Sequence, residues 1–368
     1  MNIQENIPLT PFTTFNIGGP AKYFVRVKNE QELIEALNYA QNNGLYIYIL
    51  GEGSNTLISD RGFEGLVIKL ELKGITHETK EDRVLITVRA GEDWDKLVEF
   101  SVKQGWWGIE NMSGIPGTAG AALIQNINAY GQHAGDVIDE VKVFDRQTQE
   151  EAVLNKEQCN FRYRQSIFNS EAKGRYVVLS VVFSLHKNSE PNIDYLDVIK
   201  YFEVLNIAVP SQSQIRKAII EIRGRKFPDL SKDGTAGSFF KNILLKPDEY
   251  QAMLAKIKDK FGDDVARQLD EIRLKFSVED EYKIPTGFIA DKILGLKGLR
   301  VGGAKLSEKQ VITVISEGKT AKADDVMNLF KLVRQKIYDV TGVAVVNEPE
   351  LVGFTQEELD SYLTLPEG

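Results

Sequence analysis

The chain has 368 residues, 42% of them hydrophobic, and a formal net charge of −8. A single hydrophobic core stops growing near about 250–300 residues, so two or three domains are expected, and the acidic balance opposes nucleic acid, whose backbone demands a basic surface. The one cysteine, Cys159, excludes an internal disulfide, and the three scattered histidines, His77, His133 and His186, offer no spacing for a transition metal. Met1–Asn6 has no secretory pattern, and no run of about 18 apolar residues could span a membrane. A reducing, cytoplasmic setting is the expectation.

In chain order, Tyr23–Val27 alternates like a strand. Asn29 then caps a helix that carries Leu33, Ile34, Leu37 and Ala40 on one face and ends at Gly44. Tyr46–Leu50 reads as the next strand, so residues 20–50 predict a β-α-β unit that delivers the chain into a loop, Gly51-Glu52-Gly53-Ser54-Asn55. Arg83–Ala90 alternates strictly and precedes a helix with Trp94, Leu97 and Val98 inward and Gly105 as its stop. Val141–Phe144 and Tyr176–Phe183 read as strands. Ser213–Ile222 is an amphipathic helix that Gly224 and Pro228 are expected to end, and a domain boundary is placed there. Beyond it the pattern predicts helices at Pro247–Phe261, Asp264–Leu274 and Thr286–Ile293, and a strand at Val311–Ile315. A long helix through Val326, Leu329, Val333 and Ile337 and a last strand at Val343–Val346 complete the prediction. The acidic run Glu279-Asp280-Glu281 reads as a solvated turn.

Three segments invite chemistry. In the first loop Thr56 stands where a dinucleotide fingerprint needs its third glycine, and no helix begins there, so a Rossmann nicotinamide site is disfavoured. Backbone amides with Ser54 and Asn55 could instead hold a pyrophosphate; a plain glycine turn is the structural alternative. The second segment, Gly114-Ile115-Pro116-Gly117-Thr118-Ala119-Gly120, followed by Ala121, Ala122 and the polar stretch from Asn126, would let a flat ligand or phosphate approach the backbone. Close packing is its structural alternative. In the third, Gly237-Ser238-Phe239-Phe240-Lys241-Asn242, a hydroxyl and a Lys-Asn pair are separated by two aromatics, which suggests a small, partly dry pocket. No Gly-x-Ser-x-Gly elbow and no histidine accompany Ser238, so a serine nucleophile is disfavoured. Arg223-Gly224-Arg225-Lys226 is the densest basic cluster and could meet an anionic small molecule.

Taken in order, these strings, with Tyr163-Arg164-Gln165-Ser166-Ile167-Phe168 and Glu348-Pro349-Glu350, resemble the UDP-N-acetylenolpyruvoylglucosamine reductase family over nearly the whole chain. The resemblance implies an α+β, three-domain FAD-binding fold of the vanillyl-alcohol-oxidase (PCMH) type with a C-terminal substrate-binding domain. Its expected division is 1–69 and 70–222 plus 354–368 for the FAD-binding subdomains, and 223–353 for the substrate domain. Tyr163-Arg164 and Tyr195 look like the longer of the family's two types, in which the tail after Gly353 returns to the second subdomain.

The activity so implied is an NADPH-dependent reduction of an enolpyruvyl group on a UDP-sugar, by a cytoplasmic monomer. FAD is expected to be non-covalent, because neither glycine loop holds a histidine. By motif, Gly51, Glu52, Gly53, Ser54, Asn55, Gly114, Ile115, Pro116, Gly117, Gly120, Ala121 and Asn126 match cofactor contacts. Ser238 looks like the proton donor, and Arg164 and Glu350 look like the pair flanking the substrate carboxylate, Glu350 acting as a donor only in its protonated form. Tyr163, Tyr195, Lys226 and Asn242 match substrate contacts. Ala121-Ala122 depart from common serines, and Asn128 stands where glycine is usual, a position where Asn could still take positive φ. The competing readings are an FAD-dependent sugar or alcohol oxidase of the same fold, and a non-catalytic nucleotide-sugar binding protein.

Overall fold

The computed structural model describes residues 1–275 and 281–365, so Glu279 and Asp280 of the acidic run lie outside the described residues. The chain divides into two compact units where two or three domains were expected. The first comprises Met1–Ile7, Ala21–Glu52 and Glu64–Arg225, and the second Pro8–Pro20, Gly53–Phe63 and Lys226–Gly368.

Among the described residues the first unit holds a four-stranded and a five-stranded sheet, and a two-stranded one in which Asn128–Ala129 pairs with Gln132–His133. In the four-stranded one, Phe63–Leu70 lies between Pro20–Val27 and Tyr46–Leu50, with Gln4–Pro8 at the edge beyond Pro20–Val27. The predicted β-α-β unit therefore forms with a strand inserted between its two strands. Tyr46–Leu50 pairs in parallel with Phe63–Leu70. Asn29 accepts the Glu32 amide at 2.9 Å and starts the helix Glu30–Asn42, whose Leu33, Leu37 and Ala40 join Val25, Val27, Leu66 and Ile68 in one buried cluster.

The five-stranded sheet runs Glu150–Asn155, Ile138–Asp145, Tyr176–His186, Arg83–Arg89, Ile75–Thr79, each neighbouring pair antiparallel. Val84, Ile86 and Val88 point to the face that also buries Trp94, Leu97 and Val98 of the helix Trp94–Gln104. Gly105 ends that helix at φ 76°, a left-handed cap that favours glycine. A smaller cluster joins Val198 and Phe202 of the helix Leu196–Leu205 to Ile215, Ala218, Ile219 and Ile222 of the helix Gln212–Lys226. That last helix runs on through Gly224, so the glycine does not stop it, and the division between units falls after Arg225.

In the second unit the helix Ala323–Thr341 buries Val326, Leu329, Phe330, Val333 and Ile337. Asp60, far away in sequence, accepts the amides of Ala323 and Asp324 at 3.0 and 3.2 Å and so caps this helix. Thr286–Phe288 leads into a wider turn of helix at Ile289–Ile293. The expected strand at Val311–Ile315 forms at Val314–Ser316. The expected strand Val343–Val346 does not form: Val345 and Val346 offer their carbonyls singly, to Arg334 Nε and the Lys241 amide. The last strand is instead Glu350–Val352, paired in parallel with Thr56–Ile58.

The tail groups with the second unit. Its helix Gln356–Leu363 is held to Ala323–Thr341 by Tyr362 Oη donating to Asp324 at 3.0 Å and Lys331 Nζ donating to the Ser361 carbonyl at 2.7 Å. Arg61 adds an ion pair to Glu358 at 2.7 Å.

Candidate functional site

The strand Tyr46–Leu50 ends in the loop that carries the chain from the first unit into the second. Lys69, almost fully buried, donates to the Gly51 carbonyl and pairs with Glu52 at 3.0 Å, which fixes the loop's entry. Glu52 is thus already engaged by a lysine. A Cβ built on Gly51 would stand 3.1 Å from Thr118 Oγ1 and 3.4 Å from the Ala121 Cβ. The two glycine-bearing segments, separate in sequence, therefore adjoin. Gly53 has φ 60°, and a Cβ there would stand 2.3 Å from the Phe12 carbonyl oxygen, so both conformation and space demand glycine.

The second segment is held at each step. Asp95 accepts the Gly114 amide at 2.6 Å and receives Arg216 through two bonds of 2.6 and 2.8 Å. Burial pushes the Asp95 carboxyl up, but the Arg216 hydrogen bonds, the Gly114 amide and the charges of Arg216 and Arg223 outweigh it and leave it below its ordinary value. Arg223 donates to the Gly114 carbonyl at 3.1 Å, so this member of the basic cluster is tied to the loop; Arg225 pairs with Glu221 at 3.6 Å. Ile115 is partly buried and Pro116 exposed. Gly117 has φ 141° and its carbonyl accepts the Trp94 amide at 3.0 Å.

Thr118 caps the short helix Ala119–Ile124, accepting the Ala121 amide at 3.2 Å. Gly120 is required by packing, since a Cβ there would stand 2.6 Å from the Ala90 Cβ. The buried Asn126 uses both ends of its side chain, donating to the Arg162 carbonyl at 3.0 Å and accepting the Gly135 amide at 2.8 Å. Positive φ falls at Asn126 and Tyr130, at 45° each, and not at Asn128. Asn128 lies in the strand Asn128–Ala129, so the expected strain on it does not arise.

Tyr163 and Arg164 sit in a tight turn of the first unit, closed by the Arg162 amide on the Gln165 carbonyl at 2.9 Å. Arg164 has φ 54°, its carbonyl accepts from Asn169 Nδ2 at 3.2 Å, and its guanidinium lies 6.0 Å from the Tyr163 ring centroid. Ser166, fully buried, anchors the turn by donating to the Ile124 carbonyl at 2.6 Å. Tyr195 opens the helix Leu196–Leu205 and meets Tyr130 edge-on, ring centroids 5.2 Å apart. Lys226 is the last residue of the helix Gln212–Lys226 and half-buried.

In the second unit the aromatics flanking the candidate donor serve the core. Phe239 and Phe240 are buried and meet Phe330 at ring-centroid distances of 5.6 and 5.5 Å. Each such ring contributes roughly 1.5–3 kcal/mol of burial, which anchors the half-buried Ser238 between Gly237, at φ 78°, and Phe239. The Glu348 amide donates to the Phe239 carbonyl at 2.8 Å, and the Glu350 amide donates to the Asn55 carbonyl at 2.9 Å. Asn55 Nδ2 adds a bond to the Glu348 carbonyl at 3.2 Å. A continuous run of backbone contacts thus joins the Ser238 segment, Glu350 and the end of the first loop. Asn242 Oδ1 accepts the Thr286 amide at 3.2 Å, which orients its side chain. Sequence reasoning missed Lys69, Asp95, Arg216 and Asn169, whose roles lie in contacts between segments.

A model described as "FAD binding domain" matches residues 21–150, and one described as "UDP-N-acetylenolpyruvoylglucosamine reductase, C-terminal domain" matches residues 229–352. The UDP-N-acetylenolpyruvoylglucosamine reductase of Bdellovibrio bacteriovorus is 35% identical over 351 residues, covering 95% of this chain and 99% of the relative. The enzyme of that name from Flavobacterium johnsoniae is 33% identical over 356 residues, covering 96% and 100%. The solved UDP-N-acetylenolpyruvylglucosamine reductase of Thermus caldophilus shares the fold, with a TM-score of 0.61, 23% identity and coverage of 96% of this chain and 99% of that one.

The residues of the first unit fit FAD. Gly51 lies against the side chains of Thr118 and Ala121, which brings the two glycine segments together, and Gly114 and Gly117 hold positive φ, so where the loops adjoin the chain carries little side chain of its own. Such backbone suits the close approach of a pyrophosphate.

Proposed function

The chain belongs to the UDP-N-acetylenolpyruvoylglucosamine reductase family, and from that membership we propose that it reduces the enolpyruvyl group of UDP-N-acetylglucosamine enolpyruvate to the lactyl ether, giving UDP-N-acetylmuramate for peptidoglycan precursors. The observation that carries this reading is the joint match of an FAD-binding model and the family's own C-terminal model to one chain that its relatives cover almost end to end. FAD, when bound, supplies hydride transfer from NADPH to the terminal vinyl carbon. Gly51–Asn55, Gly114–Gly117, Gly120, Ala121 and Asn126 are the proposed cofactor-binding residues, by backbone contact for the most part, because Lys69 already pairs with Glu52 and the Asn126 side chain is committed within the fold. The work is proposed to take place in the cytoplasm, where this precursor chemistry would occur.

The chain's own groups then manage the negative charge left on the carbon beside the carboxylate. Arg164 is proposed to hold the carboxylate oxygens that share this charge, an interaction stronger in the transition state than in the ground state. Glu350 is proposed to flank the same carboxylate. Ser238 Oγ–H delivers the proton to the carbon, a downhill transfer once the geometry is held. Support for the last two roles comes from the backbone run that ties the Ser238 segment to Glu348 and Glu350 to Asn55. Tyr163, Tyr195, Lys226 and Asn242 are proposed to bind the rest of the substrate, with Lys226 on a phosphate.

The test is spectroscopic. Purified protein, supplemented with FAD, should show a flavin spectrum that bleaches on adding NADPH without air and regains its colour on adding the enolpyruvyl sugar nucleotide. No bleaching by NADPH, or no recovery with the sugar nucleotide, would refute the reading. Fast recovery with air alone would mark an oxidase instead.

A further inference from the structure

Across the strand from Ser238 stands a second hydroxyl. Ser238 and Thr313 face each other in an antiparallel bridge, and the adjoining hydrogen bond runs from the Phe239 amide to the Ile312 carbonyl at 2.7 Å. A bond from the residue after one partner to the residue before the other marks a non-hydrogen-bonded pair. In such pairs the opposed Cα atoms approach to about 4.5 Å and both side chains leave on the same face.

Thr313 is fully buried. Its main chain is satisfied, the amide donating to the Gln310 carbonyl at 2.8 Å and the carbonyl accepting the Ser307 amide at 2.9 Å. Its hydroxyl is not: Oγ1 has no hydrogen-bond partner among the described residues. Nearby Thr235 shows the contrast, its hydroxyl donating to the Val314 carbonyl at 2.7 Å and accepting the Gly237 amide at 3.1 Å. Thr235 thus fixes the turn before Ser238 and is fully used. A buried hydroxyl without a partner costs free energy that valine, equal in shape, would not. Its place opposite Ser238 sets it beside a group whose need of a donor grows during reaction.

We propose that Thr313 is a positioning residue for Ser238, its Oγ1–H, unbonded among the described residues, turning to donate to Ser238 Oγ as the serine gives up its proton. This rests on the reading of Ser238 as proton donor. In that step the Ser238 O–H bond breaks, a C–H bond forms on the carbon beside the carboxylate, and the O–H electron pair stays on Ser238 Oγ. Water later returns the proton, and Thr313 keeps its own. The Thr313 hydrogen bond forms as charge grows on Ser238 Oγ, which both holds the serine in place and eases loss of its proton.

The experiment compares Thr313→Val, Thr313→Ser, Ser238→Ala and the Thr313→Val/Ser238→Ala double variant as FAD holoenzymes. In Thr313→Val, reoxidation of reduced flavin by the enolpyruvyl substrate should slow by roughly 10- to 100-fold, the range for a hydrogen bond to a charged group. Reduction by NADPH should be unchanged and the melting temperature equal or higher. Thr313→Ser should recover most of the rate, and the double variant should be no slower than Ser238→Ala. Wild-type reoxidation in Thr313→Val, or losses that multiply in the double variant, would overturn the role of Thr313 alone. Wild-type reoxidation in Ser238→Ala would overturn the donor reading and this proposal with it. If Thr313→Val proves unstable, Thr313→Ala replaces it under the same criteria.

Discussion

The amide of Glu350 donates to the carbonyl of Asn55 at 2.9 Å, and the Asn55 side chain donates to the Glu348 carbonyl at 3.2 Å. Asn55 thereby grips the Glu348-Pro349-Glu350 string on both sides of its proline. It closes a loop of the chain's beginning onto a strand near its end. A side chain placed at the end of a glycine loop thus sets the backbone from which a proposed catalytic carboxylate projects.

Asn55→Ala removes the side-chain bond and leaves the backbone bond. It is expected to destabilise the protein by about 1 kcal/mol, the usual net worth of such a bond. It should also slow reoxidation of flavin by substrate more than reduction by NADPH, because the Glu348 carbonyl, two residues before Glu350, loses a bond that helps fix the string. Asn55→Asp should behave no better, since a carboxylate cannot donate to the Glu348 carbonyl. Urea unfolding and rapid mixing of each half-reaction check this.

Asp95 gives a pH-dependent prediction. Burial raises its carboxyl, but the Arg216 pair, the Gly114 amide and the Arg223 charge hold it below its ordinary value. A carboxyl depressed in the folded state stabilises the fold above its unfolded value, about 3.9, and that stabilisation is lost as pH falls through the folded value. Asp95→Asn should therefore unfold more easily than wild type at neutral pH, and the difference should shrink once the pH drops below the ordinary carboxylate range. Urea midpoints measured across pH check the sign. Because Asp95 also anchors Gly114, the same variant should lower FAD affinity in a flavin titration.

Gly120 tests which reading of the second glycine segment holds. A Cβ there would stand 2.6 Å from the Ala90 Cβ and 3.0 Å from the Ala90 Cα and carbonyl oxygen. Backbone atoms cannot yield as the end of a flexible side chain would. Gly120→Ala is expected to cost about 1–3 kcal/mol, as overpacking usually does, read as a lower melting temperature in protein both with and without FAD.

Much of the fold was legible because helix caps and alternation are local. Asn29, Gly105 and the run through Val326, Leu329 and Val333 acted as their patterns imply. What misled was also local: Gly224 was read as a stop, yet Ile215, Ala218, Ile219 and Ile222 packing on Val198 and Phe202 carry that helix past it. Val343–Val346 has the residue types of a strand, but Val345 and Val346 bond only singly, to Arg334 and Lys241, among the described residues, whereas Glu350–Val352 finds Thr56–Ile58. Of the candidate site, the segments were legible from glycine and polar spacing. Lys69 under Glu52, Asp95 under Gly114 and Thr313 opposite Ser238 were not, since each depends on which distant strand or helix lies alongside.

The most direct test of the central claim is rapid mixing of Ser238→Ala through its two half-reactions, without air. The account predicts reduction of flavin by NADPH at the wild-type rate, and reoxidation by the enolpyruvyl substrate slowed by about 10²–10⁴-fold, as loss of a positioned proton donor usually costs. Equal slowing of both half-reactions, or wild-type reoxidation, would contradict it.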